Sequence, residues 1–110
     1  MDRNEIVEKV KEYANKLIDK FSIKYLILYG SYANGTARKD SDIDVGVIVE
    51  SLEGDFLEAE IELFRLRRSI DERIEPVLLI SNEDKSGFIK QITDKGIIIH
   101  PSRPPMEKVH

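Results

Sequence analysis

The chain has 110 residues, 41% of them hydrophobic and 35% charged, with a formal net charge of −4. That length suits one domain with a modest core, and the acidic balance argues against electrostatically driven nucleic-acid binding, which draws on a basic surface. The absence of cysteine excludes disulfides, thiol catalysis and zinc-thiolate sites, and it agrees with a cytoplasmic protein.

The polar start Met1-Asp2-Arg3-Asn4-Glu5 leads straight into an amphipathic pattern, so no signal peptide is expected, and no apolar run approaches membrane-spanning length. From residue 2 to about 21, Ile6, Val10, Tyr13, Ala14, Leu17 and Phe21 recur at helical spacing. Charged residues fill the other face, and Asp2 or Asn4 is a candidate cap. This helix is expected to pack on a sheet and to carry no chemistry. Residues 23–29, Ile-Lys-Tyr-Leu-Ile-Leu-Tyr, predict a first strand, and 43–49 a second, interrupted only by Gly46. A glycine in mid-strand often marks close approach by another group, here expected to be a neighbouring side chain.

Between those strands lies the stretch around which the chain is organised, Gly30-Ser31-Tyr32-Ala33-Asn34-Gly35-Thr36-Ala37-Arg38-Lys39-Asp40-Ser41-Asp42-Ile43-Asp44. Residues i and i+2 of a strand share a face, so Asp42 and Asp44 are expected to project side by side at the start of the second strand. Two such carboxylates repel unless a cation lies between them, and Mg²⁺, held by carboxylates together with substrate phosphates, is the natural occupant. Gly30 ends the first apolar run, and Ser31 is expected to cap a short helical turn. Free N–H groups at such a turn suit a phosphate. A phosphate cradle beside a metal-holding pair describes a nucleoside triphosphate site. For the two halves to meet, the strands must lie antiparallel.

A second helix is predicted over 55–72, with Phe56, Ala59, Leu63, Leu66 and Ile70 on one stripe, widened by Leu57 and Phe64. Its charge run Arg65, Arg67, Arg68, Asp71, Glu72 and Arg73 reads mostly as a solvated face, with a contact surface for a partner or acceptor as the other reading. Residues 74–80, Ile-Glu-Pro-Val-Leu-Leu-Ile, predict a third strand, parallel to the second across a β-α-β crossover. Parallel strands start at the same end of a sheet, which brings Glu75 beside Asp42 and Asp44, and Pro76 directs its strand to an edge or an irregular start. A carboxylate in an apolar strand needs a partner. For Glu75 the choices are a metal or a salt bridge to an arginine such as Arg73. A short helix within 82–95, burying Phe88, Ile89 and Ile92 and stopped by Gly96, precedes a small strand at 97–99. The proline-rich 101–110 reads as a flexible tail after a domain spanning 1–100. His100 and His110, the two histidines, fall outside the presumed site, so a histidine general base is not expected.

Gly30-Ser31, ten residues, then Asp42-Ile43-Asp44 resembles the signature of the DNA polymerase β-like nucleotidyltransferases. The fuller string through Val49, the short length and Ile74-Glu75-Pro76-Val77 resemble its minimal (MNT) members. The resemblance implies an α/β (α+β) fold, a small mixed β-sheet flanked by helices, with nucleotidyl transfer from ATP at two Mg²⁺ ions. Gly30 and Ser31 would hold the terminal phosphates, Asp42 and Asp44 both metals, and Glu75 the acceptor side. Many relatives have aspartate at the third carboxylate, and arginines where this chain has Tyr32 and Asn34. Arg38 and Lys39 remain as cationic candidates in the loop. The resemblance further implies an antitoxin that transfers AMP to a tyrosine of a HEPN-domain toxin, the acceptor being brought by a partner or by self-association. A small-molecule acceptor such as an aminoglycoside, and neutralisation of a toxin by steric binding alone, are the alternatives.

Overall fold

The computed structural model describes residues 3–101. Helix α1 (Arg3–Leu17) leads to β1 (Ile23–Tyr29), the short helix α2 (Ser31–Asn34) and β2 (Ile43–Val49). Helix α3 (Phe56–Leu66) and a 3₁₀ turn (Arg67–Ser69) then precede β3 (Ile74–Ile80), α4 (Phe88–Lys95) and β4 (Ile97–Ile99). The four strands form one mixed sheet in the order β3-β2-β1-β4, with β2 parallel to β3 and the other neighbours antiparallel. This is the expected architecture, and Pro76 lies on an edge strand as its missing N–H requires.

The two sheet faces are covered unequally. Val45, Val47 and Val49 of β2, Leu26 and Leu28 of β1, and Ile74 and Leu78 of β3 pack on one face with Ile6, Val10, Tyr13, Leu17 and Leu63 of α1 and α3. On the other face, among the described residues, Ile89 and Ile92 of α4 close over Ile27 and Ile48, with Tyr29 and Phe88 at the margin. Period-two alternation therefore sends Asp44 and Glu75 to the thinly covered face, where a substrate can reach them. Gly46 lies on the same face, and a Cβ there would stand 2.8 Å from Ile92 Cδ1, so helix packing accounts for this mid-strand glycine. The neighbour is a side chain, as expected.

Three ends differ from the sequence pattern. Helix α1 stops at Leu17, and turns carry the chain on to Phe21, whose N–H donates to Leu17 O at 2.9 Å. Asn4 lies inside the helix rather than capping it, and Asp2 lies outside the described residues, as does the expected tail except Pro101. Helix α3 ends at Leu66 instead of residue 72, and of its predicted stripe Ala59 and Leu63 are buried while Phe56, Leu57 and Phe64 are exposed. Its start is well determined, because the Asp55 carboxylate accepts from Leu57 N at 2.7 Å and Glu58 N at 3.2 Å. Asp84 does the same for α4, accepting from Ile89 N at 2.8 Å and Lys90 N at 3.1 Å.

Helices α1 and α3 are joined through Tyr13. Its hydroxyl, fully buried, donates to Leu63 O at 2.6 Å, and burial pushes its pKa far up. Tyr13→Phe removes that bond and is expected to cost about 1 kcal/mol, measured by urea denaturation.

Candidate active site

The strand register sets the site. Tyr29 of β1 pairs with Asp44 of β2, and Asp44 pairs with Glu75 of β3, so the three side chains line one level of the open face. Asp42 lies just before β2 and two residues from Asp44, on the same side. Burial, then the charges of Asp42 and of Glu75, raise the Asp44 carboxyl above its ordinary pKa. Tyr29 is raised too, by burial and by the Asp44 charge. These carboxylates share one electrostatic field. That is the repulsion expected of a pair, extended to the third strand.

Gly30 follows at once. It has φ +73° and ψ −147°, a backbone region that only glycine enters readily, and a Cβ there would run into Asp44 Oδ2. The main chain at Gly30 is therefore pressed against the central carboxylate, at the head of α2. Gly30 itself, and not Ser31, occupies the cap position, and no side chain caps this helix. Its carbonyl accepts from Ala33 N and Asn34 N, both at 3.1 Å, while the N–H groups of Ser31 and Tyr32 have no acceptor within the helix. Ser31 is the first helical residue, its hydroxyl unspent on capping and only partly covered. Capping this turn therefore consumes no side-chain hydroxyl.

Arg38 and Lys39 are exposed on the loop before Asp42. Three side-chain contacts hold the backbone of that loop: Tyr32 OH donates to Arg38 O at 3.3 Å, Arg38 N donates to Ser41 Oγ at 2.8 Å, and Arg73 Nη1 donates to Lys39 O at 2.8 Å. Arg73 also donates to Tyr32 OH at 3.2 Å and to both carboxylate oxygens of Asp71, which Lys9 of α1 approaches at 2.8 Å. The run 65–73 is thus not chiefly a solvated face. Arg73 is spent on Asp71 and the loop, so the arginine that meets Glu75 is Arg67, with Nη1 3.6 Å from the Glu75 carboxylate and 2.7 Å from Ile74 O. Arg67, Arg73 and Tyr32 are the residues that the sequence pattern did not single out for the site. For Arg67 and Arg73 the signal was the charge run itself, read as solvent-facing because no local period reveals partners up to 41 residues away; Tyr32 gave none beyond its place in the loop.

Hydrogen bonds from Arg73, and then from Lys9, outweigh the burial of Asp71 and hold its carboxyl well below the usual carboxylate range. A carboxyl depressed on folding adds stability that is present above its unfolded pKa of about 3.9 and is lost as pH falls toward its folded value. Wild type is therefore expected to lose denaturation free energy between about pH 4 and pH 2, and Asp71→Asn to start lower and lose less over the same acid range.

Among the described residues, no group of three or more His, Cys, Asp or Glu side chains is gathered closely enough to hold a metal ion. The donors nonetheless fit a hard divalent cation. Asp42 and Asp44 are oxygen ligands that share one field, and the charge raising the Asp44 carboxyl is charge that a cation relieves. Mg²⁺ is ordinarily held by one or two carboxylates with the remaining positions filled by water and phosphate, so a pair suffices. Glu75, turned toward Arg67, would have to swing back to join.

Comparison with known proteins agrees with this geometry. Residues 8–104 match the family model described as Polymerase beta, Nucleotidyltransferase. The chain is 30% identical over 97 residues to the "Putative protein adenylyltransferase MJ0141" of Methanocaldococcus jannaschii, covering 84% of this chain and 97% of that one. It is 41% identical over 44 residues to MJ1379 of the same organism, a protein of the same description, spanning 44% of that relative's length. The structure of a "putative nucleotidyltransferase" from Sulfolobus solfataricus superposes with a TM-score of 0.66 at 14% identity, over 97% of this chain and 90% of that one. A toxin-antitoxin structure with AMP-PNP superposes at 0.59 and 20% identity, over 94% and 76%. With Gly30 against Asp44, Asp42 beside it and Glu75 one strand over, the chain belongs to the Polymerase beta nucleotidyltransferase family.

Proposed function

We propose that this protein is a Mg²⁺-dependent protein adenylyltransferase that moves AMP from ATP to a hydroxyl of a partner protein, a tyrosine of a HEPN-domain toxin in the cytoplasm, and so acts as its antitoxin. The observation that carries the reading is the placement of Asp44, with the Gly30 main chain against it on one side and Glu75 level with it on the other. The protein-adenylyltransferase description of MJ0141 and the AMP-PNP of the toxin-antitoxin structure support it.

In the reaction, the acceptor oxygen bonds to the α-phosphorus, the bond to the oxygen bridging to the β-phosphorus breaks, and pyrophosphate leaves. The Ser31 and Tyr32 N–H groups and the Ser31 hydroxyl bind the terminal phosphates at the head of α2. Arg38 and Lys39, exposed on the adjoining loop, add positive charge to that side. Asp42 and Asp44 would hold Mg²⁺, with Glu75 completing the site, and the metal when bound would supply charge stabilisation to the attacking and leaving oxygens. Glu75, on the edge strand, swings from Arg67 toward the acceptor and takes the proton of its hydroxyl. Arg73 and Tyr32 keep the Asp42 loop at the strand ends so that phosphate and carboxylate halves stay in register.

The test incubates the protein with α-labelled ATP, Mg²⁺ and the product of the neighbouring gene, beside an Asp42→Asn/Asp44→Asn control. Label on the partner, lost in the control, is expected. A tight complex of the two proteins without label would leave a steric antitoxin in its place, and label on a small acceptor such as an aminoglycoside would redirect the chemistry.

A further inference from the structure

Helix α3 is apolar on two sides. Ala59 and Leu63 are buried in the core, but Leu57, Ile61 and Phe64 form a second stripe facing outward, 64%, 59% and 38% exposed. The spacing of four and three residues places them on one face. They line a shallow groove of about 540 Å³, which Glu60, Arg65 and Arg68 border. An apolar stripe rimmed by charge marks an interaction surface more often than an accident of composition.

Two further observations say what covers it. First, the stripe is continuous with the site. The Arg67 guanidinium stands 4.9 Å over the Phe64 ring, and the same side chain is 3.6 Å from the Glu75 carboxylate and bonds to Ile74 O on edge strand β3. Phe64, Arg67 and Glu75 therefore make an unbroken path round the open edge of the sheet to the carboxylate on the acceptor side. Second, the end of the stripe nearest the site is cationic although the whole chain carries −4. There Arg65 is paired with Glu62 and Arg67 with Glu75, while Arg68 is exposed and has no ion-pair partner among the described residues.

We infer that this face of α3 docks the protein acceptor itself, which lays an amphipathic helix along Leu57, Ile61 and Phe64 and presents an acidic residue to Arg68. The inference rests on the protein-modifying function proposed above and says where the acceptor binds. Phosphodiester backbones bury no apolar stripe, so a nucleic acid does not match this face. A second copy seated there would lie across the β3 edge and bar a macromolecule from Glu75. A helix in a groove is anchored at apolar positions of this spacing, and the charge at its end sets its direction.

The test places the photo-crosslinker p-benzoylphenylalanine at Ile61, and separately at the exposed Glu12 of α1, in the full chain made in its native cells. Both variants are examined with the site intact and with Asp42→Asn/Asp44→Asn. The expected result is an adduct at position 61 with one other protein, the same in both backgrounds and absent at position 12. The crosslinked peptide should carry acidic residues beside apolar ones at helical spacing, and Arg68→Glu should lower the yield at least fivefold. The same protein should take label from α-labelled ATP only when the two aspartates are intact. Adducts with a second copy alone, an adduct at position 61 no stronger than at 12, or a yield unmoved by Arg68→Glu would each overturn the docking surface. The expected adduct without any label would overturn the transfer reaction and leave the surface standing.

Discussion

Asp44→Asn is expected to lower nucleotidyl transfer by about a thousandfold or more and, in the same protein, to raise the thermal midpoint of the metal-free chain. On the proposed function, the loss of activity follows from removing a carboxylate oxygen and its charge from the centre of a preorganised site. The gain in stability follows from the sign of the pKa shift. Burial and the charges of Asp42 and Glu75 raise the Asp44 carboxyl above its unfolded value. A group raised on folding contributes stability that is full below its unfolded pKa and is lost as pH rises through its folded pKa. At neutral pH the ionised Asp44 therefore opposes folding, and asparagine, of the same shape without the charge, does not. A rise of a few degrees is expected in metal chelator. Mg²⁺ should raise the midpoint of wild type by binding the folded state, and should leave the variant unmoved. Calorimetry with and without Mg²⁺ decides the matter. A midpoint that falls on substitution would show that Asp44 is held by favourable contacts instead of strained by like charge. A wild type indifferent to Mg²⁺ would remove the metal role of the pair.

Gly30→Ala is the second large effect, and it separates geometry from charge. The backbone at Gly30, φ +73° and ψ −147°, costs an alanine about 1–3 kcal/mol, and the new methyl would run into Asp44 Oδ2. Strand pairing holds β1 and β2 together along Tyr29–Asp44, so the carboxylate must turn aside or the head of α2 must lift. Either movement would part the proposed phosphate cradle from the proposed metal-holding pair. Transfer should fall at least about a hundredfold, since a misplacement of about 1 Å is worth that much. Gly35→Ala is the control. Gly35 also has positive φ, +81°, but a Cβ there meets nothing within 4 Å. It should lower the thermal midpoint through backbone strain while leaving transfer near wild type. Equal losses of transfer in the two variants would show that the glycines serve loop conformation alone and that Gly30's contact with Asp44 is not used.

Much of this protein is written in short-range pattern. The four strands run at the positions that short apolar, β-prone runs assigned, because strand propensity is local, as is the turn chemistry that bounds it. The pairing of Asp44 with Glu75 was legible for the same reason: a β-α-β crossover makes the strands parallel, and parallel strands share their starting end. Gly30-Ser31 and Asp42-x-Asp44 could be assigned to opposite sides of one loop before any coordinates, and the family resemblance rested on that spacing. What tertiary structure decided were the partners of the charges. Lys9 with Asp71 and Arg73 with Tyr32 lie 62 and 41 residues apart in the chain, and no periodicity encodes which cation reaches which oxygen. Chain folding likewise made Arg67, and not Arg73, the neighbour of Glu75, and put the cap on Gly30 instead of Ser31. It also turned Leu57, Ile61 and Phe64 outward, since a stripe too wide for one contact leaves the packing of α3 on the sheet to choose which part is covered. Local sequence determined the elements and the chemistry they could carry; long-range packing determined which side chains face one another, because that depends on where the helices settle on the sheet.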